Sequence, residues 1–184
     1  MKNFNRDNQL LSLCGLNCGL CPMHLDNHCP GCGGGTGNQG CPIARCSLKH
    51  HEIEYCFQCE EYPCEKYSGI DTYDSFITHQ NQKADLWKAL ENGIDDYNSE
   101  QLEKVEILHY LLSNYNDGRK KTFFCVAVNL LELKEIKLIL KQMEAKKDLF
   151  DLPIKEKSAF VVSLFQEAAK KDAIELKLRK KPKK

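Results

Sequence analysis

The sequence predicts a mainly α-helical protein: a small, irregular, cysteine-rich metal-binding module over residues 1–70, and a helical domain over 71–184 that ends in a short strand. Three observations carry this expectation. Ten of the eleven cysteines fall between Cys14 and Cys64, leaving Cys125 alone in the rest of the chain. Large aliphatic and aromatic residues are scarce in that stretch. After residue 70, apolar residues recur at helical spacing instead.

The module comes first. Between Cys21 and Ile70 the large apolar residues are only Met23, Leu25, Ile43, Leu48, Ile53, Phe57 and Ile70. That is too little burial to offset the entropy of ordering fifty residues, so the segment needs cross-links. Disulfides are one candidate and require export. Residues 1–10 contain no apolar signal region, and Leu11-Ser12-Leu13-Cys14 lacks both the hydrophobic run and the small residue of a lipoprotein site. The chain is therefore expected to be cytoplasmic, where thiols stay reduced and clustered cysteines act as metal ligands. A structural zinc supplies about 10–16 kcal/mol of apparent folding energy.

Four further elements and a tail follow. Phe76, Ile77, Ala84, Trp87 and Leu90 predict a helix over 74–91, stopped by Gly93. Asn98 or Ser99 is placed to cap a second helix, with Leu102, Val105, Leu108, Leu111 and Leu112 on one face. Residues 122–143 are apolar nearly all round through Phe124–Val128, which predicts a buried helix with a break near Glu132. Cys125, among Phe123, Phe124 and Val126, is expected to be a core residue. Asp151-Leu-Pro153 opens another helix, with the stripe Phe160, Val161, Leu164, Phe165 and Ala168. In the last segment Ile174, Leu176 and Leu178 alternate with charged residues, which predicts a strand over 173–180. A lone strand needs a partner, either residues 9–13 or another subunit.

The cysteine spacing is Cys14-x3-Cys18-x2-Cys21-x7-Cys29-x2-Cys32-x8-Cys41-x4-Cys46-x9-Cys56-x2-Cys59-x4-Cys64. Cys18/Cys21, Cys29/Cys32 and Cys56/Cys59 are C-x-x-C pairs, each half of a tetrahedral site whose turn aims backbone N–H groups at sulfur. In Cys29-Pro-Gly-Cys32-Gly33 the proline stiffens the turn, and Gly33 supplies the positive φ wanted after the second ligand. All ten clustered cysteines are candidate ligands. They fill two four-thiolate sites with two thiols to spare, so His24, His28, His50 and His51 are expected to be solvated or locally hydrogen-bonded. The expected grouping sets Cys29/Cys32 with Cys56/Cys59 and leaves the other six to the remaining site or sites.

Cys14-Gly-Leu-Asn-Cys-Gly-Leu-Cys-Pro22, the Cys29-Pro-Gly-Cys32 knuckle, Cys41-Pro-Ile-Ala-Arg-Cys46 and Tyr55-Cys-Phe-Gln-Cys-Glu-Glu-Tyr-Pro-Cys-Glu-Lys66 resemble a cysteine-rich bacterial and archaeal family known only as a domain of unknown function. The resemblance covers residues 12–67. It implies the ten-cysteine signature and no activity.

Zinc, two or more ions, is the expected metal, because closed four-thiolate cages in small modules are structural. An iron–sulfur cluster for electron transfer or redox sensing is the alternative, since proline follows Cys21, Cys29 and Cys41 directly. The Cys14-x3-Cys18-x2-Cys21 spacing also resembles radical S-adenosylmethionine enzymes, but the chain lacks the βα alternation of their barrels. The function expected is a partner-binding or scaffolding module.

Charge argues against a nucleic-acid partner. The whole chain carries 26 Lys+Arg and 26 Asp+Glu, and residues 1–70 hold five basic against seven acidic side chains. Thiolate cages make that module more acidic still, so it repels phosphates. The basic tail from Arg179 to Lys184 reads as a solvated end. No apolar run approaches the roughly 18 residues of a membrane span. The chain contains no nucleophile elbow, P-loop or Gly-x-Gly-x-x-Gly after a strand, and Gly31–Gly40 reads as a loop between ligands, so no catalytic residue is nominated.

Overall fold

Helices account for nearly all the regular structure, as the apolar spacing predicts. The structure is a computed structural model that describes residues 3–37, 40–51 and 53–182. Asn38 and Gln39 of the Gly-rich loop, Lys2 and Glu52 of the charge tally, and Lys183 and Lys184 of the basic tail lie outside the described residues. The chain divides into two compact units. The first runs to Leu102 and takes in the tail from Leu178; the second is Glu103–Lys177. The composition change at residue 70 lies inside the first unit.

In the first unit, α1 (Pro22–Leu25) and α2 (Pro42–Ser47) both start on a proline, whose missing N–H costs nothing in a first helical turn. Short 3₁₀ turns at Cys18–Leu20, Cys56–Gln58 and Glu65–Tyr67 carry much of the rest. α3 (Gln82–Asn92) closes over them, and Gly93, at φ 88°, turns the chain into α4 (Ile94–Tyr115). The core gathers Phe4, Leu11, Leu13, Ile43, Tyr55, Tyr67, Leu86 and Tyr97. The few large apolar residues of the cysteine-rich stretch thus borrow partners from the N-terminal segment, α3 and the start of α4.

Polar ties complete this unit. The Arg6 side chain is 1% exposed; it donates to the carbonyls of Glu54 (2.9 Å) and Leu11 (3.0 Å), pairs with the Glu54 carboxylate at 3.1 Å and lies over the Tyr55 ring. Tyr97 donates to Asn17 Oδ1 (2.7 Å), and Asn17 Nδ2 donates to Asp85 (2.8 Å). Both join residues far apart in sequence, which holds an irregular backbone in one arrangement.

The second unit contains the rest of α4, α5 (Lys121–Leu130), α6 (Leu133–Ala145) and α7 (Ile154–Lys171). The break near Glu132 is present: Leu131 and Glu132 are extended between α5 and α6. α5 is buried from Phe124 to Leu130, Cys125 included. α6 packs on α7, and Phe124 meets Phe165 edge to face at 6.1 Å. Leu108, Leu111, Ile136, Ile139, Val161 and Phe165 fill the core.

Three expectations need correction. Residues 173–180 form no strand; Ile174, Leu176 and Leu178 are half-buried in alternation with exposed neighbours, but no ladder joins them to residues 9–13 or to any other segment described. The tail is instead pinned at Arg179. The Arg179 carbonyl accepts from the Asp74 N–H (2.8 Å), its own N–H donates to the Asp74 carboxylate (2.6 Å), and its guanidinium donates to the Asp71 carbonyl (2.6 Å). Ile174 lies beside the end of α7, its N–H on the Ala169 carbonyl (2.8 Å), so alternation of burial arises without a sheet. The helix placed over 74–91 begins only at Gln82; it buries Gln82, Leu86 and Ala89 and leaves Trp87 and Leu90 53% and 43% exposed. α4 starts at Ile94 rather than at an Asn98 or Ser99 cap, and its Leu102 is exposed.

Candidate metal centre

The ten clustered cysteines all lie in the first unit and none forms a disulfide. They fall into three groups. The most compact surrounds a cavity of about 20 Å³ lined by Cys46, Cys56, Cys59 and Cys64, with His50, Lys66, Tyr67, Ile43 and Ile53. Its geometry is local. Cys46 sits in the last turn of α2; the Cys56–Gln58 turn closes with the Cys59 N–H on the Cys56 carbonyl (3.1 Å); and the Tyr62 N–H bonds back to Cys59 (3.0 Å) ahead of the cis Tyr62–Pro63 bond and Cys64. The Lys66 ammonium is held charged by the neighbouring Cys46 sulfur, to which it donates, and by Cys64. The Tyr67 hydroxyl donates to the Cys14 carbonyl (3.4 Å); burial first, then the neighbouring Cys56, pushes its phenol far above the ordinary range. His50 Nδ1 is 3.7 Å from Cys59 Sγ.

A second group is Cys14, Cys18, Cys32 and Cys41. Burial pushes the Cys14 thiol up to about 11, with a further push from Cys32 and Cys41. Cys18 rises to about 12, from burial and then from Cys32, while the backbone N–H of Cys32 donates to its sulfur. Cys32 is raised by burial and opposed by Arg6, with the Leu13 N–H donating to its sulfur. These amide-to-sulfur bonds join segments far apart in sequence rather than closing a C-x-x-C turn on itself, whereas Gly33 has φ +82° as expected. Arg6 anchors the knuckle, since its N–H bonds the Gly33 carbonyl (3.2 Å) and its guanidinium the Cys32 carbonyl (3.3 Å).

Cys21 and Cys29 form a third group that adjoins the second, since Cys18 feels Cys21 as well as Cys32. The turn after α1 bonds the Cys29 N–H to the Met23 carbonyl (3.1 Å), bringing Cys29 beside Cys21, whose sulfur accepts from the His24 and Met23 amides. Cys56 is pushed up to about 12 by burial and feels Cys14 as well as Cys64 and Cys46, so the first two groups adjoin. Among the described residues, no three His, Cys, Asp or Glu side chains stand in the arrangement of a bound ion.

The expected partition is rearranged. Cys56 and Cys59 share their cavity with Cys46 and Cys64, while Cys32 lies with Cys14, Cys18 and Cys41, because Arg6 ties the knuckle to the N-terminal segment. α1 ends at Leu25, so His24 and His28 do not share a helix face; the His24 ring bonds the Cys29 carbonyl at 2.9 Å, and His28 and His51 are exposed. Sequence reasoning passed over Arg6, Lys66 and Tyr67. Only Lys66 left a signal, two residues after Cys64.

Residues 10–69 match a family model described as a protein of unknown function, DUF3795. The matched segment spans all ten clustered cysteines, in line with the resemblance drawn from their motifs, and brings no activity with it. Comparison with curated proteins and with solved structures gave no match. Among the described residues no helix is long and apolar enough to cross a membrane.

Proposed function

We propose that the matched segment is a zinc-stapled module of a cytoplasmic protein, and that it serves as a partner-binding or scaffolding surface. The observation that carries this reading is the gathering of ten reduced cysteines into adjoining groups within a unit whose own stretch is poor in large apolar residues. Exposed Phe76, Trp87 and Leu90 in the same unit supply apolar surface for a partner. The acidity of residues 1–70 favours a protein partner over a nucleic acid.

Purification without oxygen, followed by metal analysis and a visible spectrum, tests it. A colourless protein with about two zinc ions per chain is expected. Brown protein that bleaches in air would replace zinc with an iron–sulfur cluster and turn the function toward electron transfer or redox sensing.

A further inference from the structure

We infer that Cys46, Cys56, Cys59 and Cys64 are the four ligands of a single metal ion, bound in the cavity whose lining they share with Lys66 and Tyr67. This assignment rests on the metal-binding reading above and goes further by naming one complete site.

Size, chemistry and charge point the same way. A cavity of about 20 Å³ has room for one ion or one water and for no organic ligand. Its lining combines Ile43 and Ile53 with four thiols and the polar side chains of Ser47, His50, Tyr62, Lys66 and Tyr67, so a thiophilic ion would find four sulfurs around one small space. Four thiolates around a divalent ion leave two negative charges. Lys66, which lines the same cavity, brings a positive charge that offsets one of them. His50 Nδ1 lies 3.7 Å from Cys59 Sγ, and four sulfurs already complete a tetrahedral site without it. Cys21 and Cys29 lie outside this cavity.

The test uses the full chain, zinc-loaded and handled without oxygen, with a chelator titration read by alkylation of free thiols and mass spectrometry. Cys46, Cys56, Cys59 and Cys64 are expected to become reactive together in one step. The single Trp87, which shares a groove with Cys64, gives a parallel fluorescence signal. Independent exposure of any one of the four overturns the assignment. In variants, Cys56→Ser is expected to lose one equivalent of metal, while His50→Ala keeps the full complement; loss of an ion in His50→Ala overturns the four-sulfur set. Because the chelator titration needs no substitution, a Cys56→Ser chain that fails to fold leaves the test intact. Protein without any metal defeats the proposed function itself, whereas bound metal with a different protected set defeats only this grouping.

Discussion

Burial and mutual repulsion act on the same thiols at the residue scale. Cys14 is pushed up to about 11, and Cys18 and Cys56 to about 12, chiefly because the surroundings disfavour a bare thiolate. In metal-free protein these groups stay protonated at neutral pH, whereas a bound ion requires the thiolate. The bound form therefore carries fewer protons, and affinity rises with pH and falls as pH drops. Zinc binding at pH 7 is expected to release about four protons per four-thiolate site. Calorimetry in buffers of different ionisation enthalpy measures the number, and a competing chelator at pH 6, 7 and 8 measures the slope. Binding that is indifferent to pH over this range would mean that thiols are not the ligands.

The close approach of α3 to the first turn of the module governs stability at the element scale. Gly15 has φ +98°, and a Cβ there would collide with the Gln82 carbonyl and lie 2.9 Å from Leu86 Cβ. Gly15→Ala adds a strained backbone to an overpacked contact and is expected to cost about 3 kcal/mol, read as a lower denaturant midpoint for the metal-loaded chain; an unchanged midpoint would mean that α3 does not press on this turn. The same contact explains why α3 was misjudged. Gln82 is buried and its side chain donates to the Cys14 carbonyl at 3.1 Å, while Trp87 and Leu90 face outward, so the buried stripe is Gln82, Leu86 and Ala89 rather than the one the larger apolar residues mark. Helices whose partners are other helices were legible: the α5–α6 break and the Val161, Phe165 and Ala168 face of α7 follow the apolar pattern. The tail was not, because alternation reports only that one side is covered, and Ile174, bonded through its N–H to the Ala169 carbonyl at the end of α7, is covered without strand pairing. Within the metal centre the ten candidates were legible from spacing. Their grouping was not, since it depends on Arg6 tying Gly33 and Cys32 to the N-terminal segment from 26 residues away.

Different forces hold the two compact units of the whole molecule. The second unit, Glu103–Lys177, has an aliphatic and aromatic core of Leu108, Leu111, Phe124, Ile136, Val161 and Phe165 that owes nothing to cysteine ligation. The first has Leu11, Leu13, Tyr55, Tyr67, Leu86 and Tyr97 around a long irregular stretch whose ordering costs about 1–2 kcal/mol per residue in backbone entropy. Removing metal is therefore expected to release the first unit while α5, α6 and α7 persist. Limited proteolysis of the chelator-treated chain should cleave within residues 10–69 and spare a fragment containing residues 121–171, and circular dichroism should retain most of its helical signal. The metal-loaded chain should resist cleavage in 10–69 at the same protease concentration. If chelation instead leaves that segment protected, the burial contributed by Leu86, Ala89 and Tyr97 suffices to order it, and the clustered thiols are not structural staples.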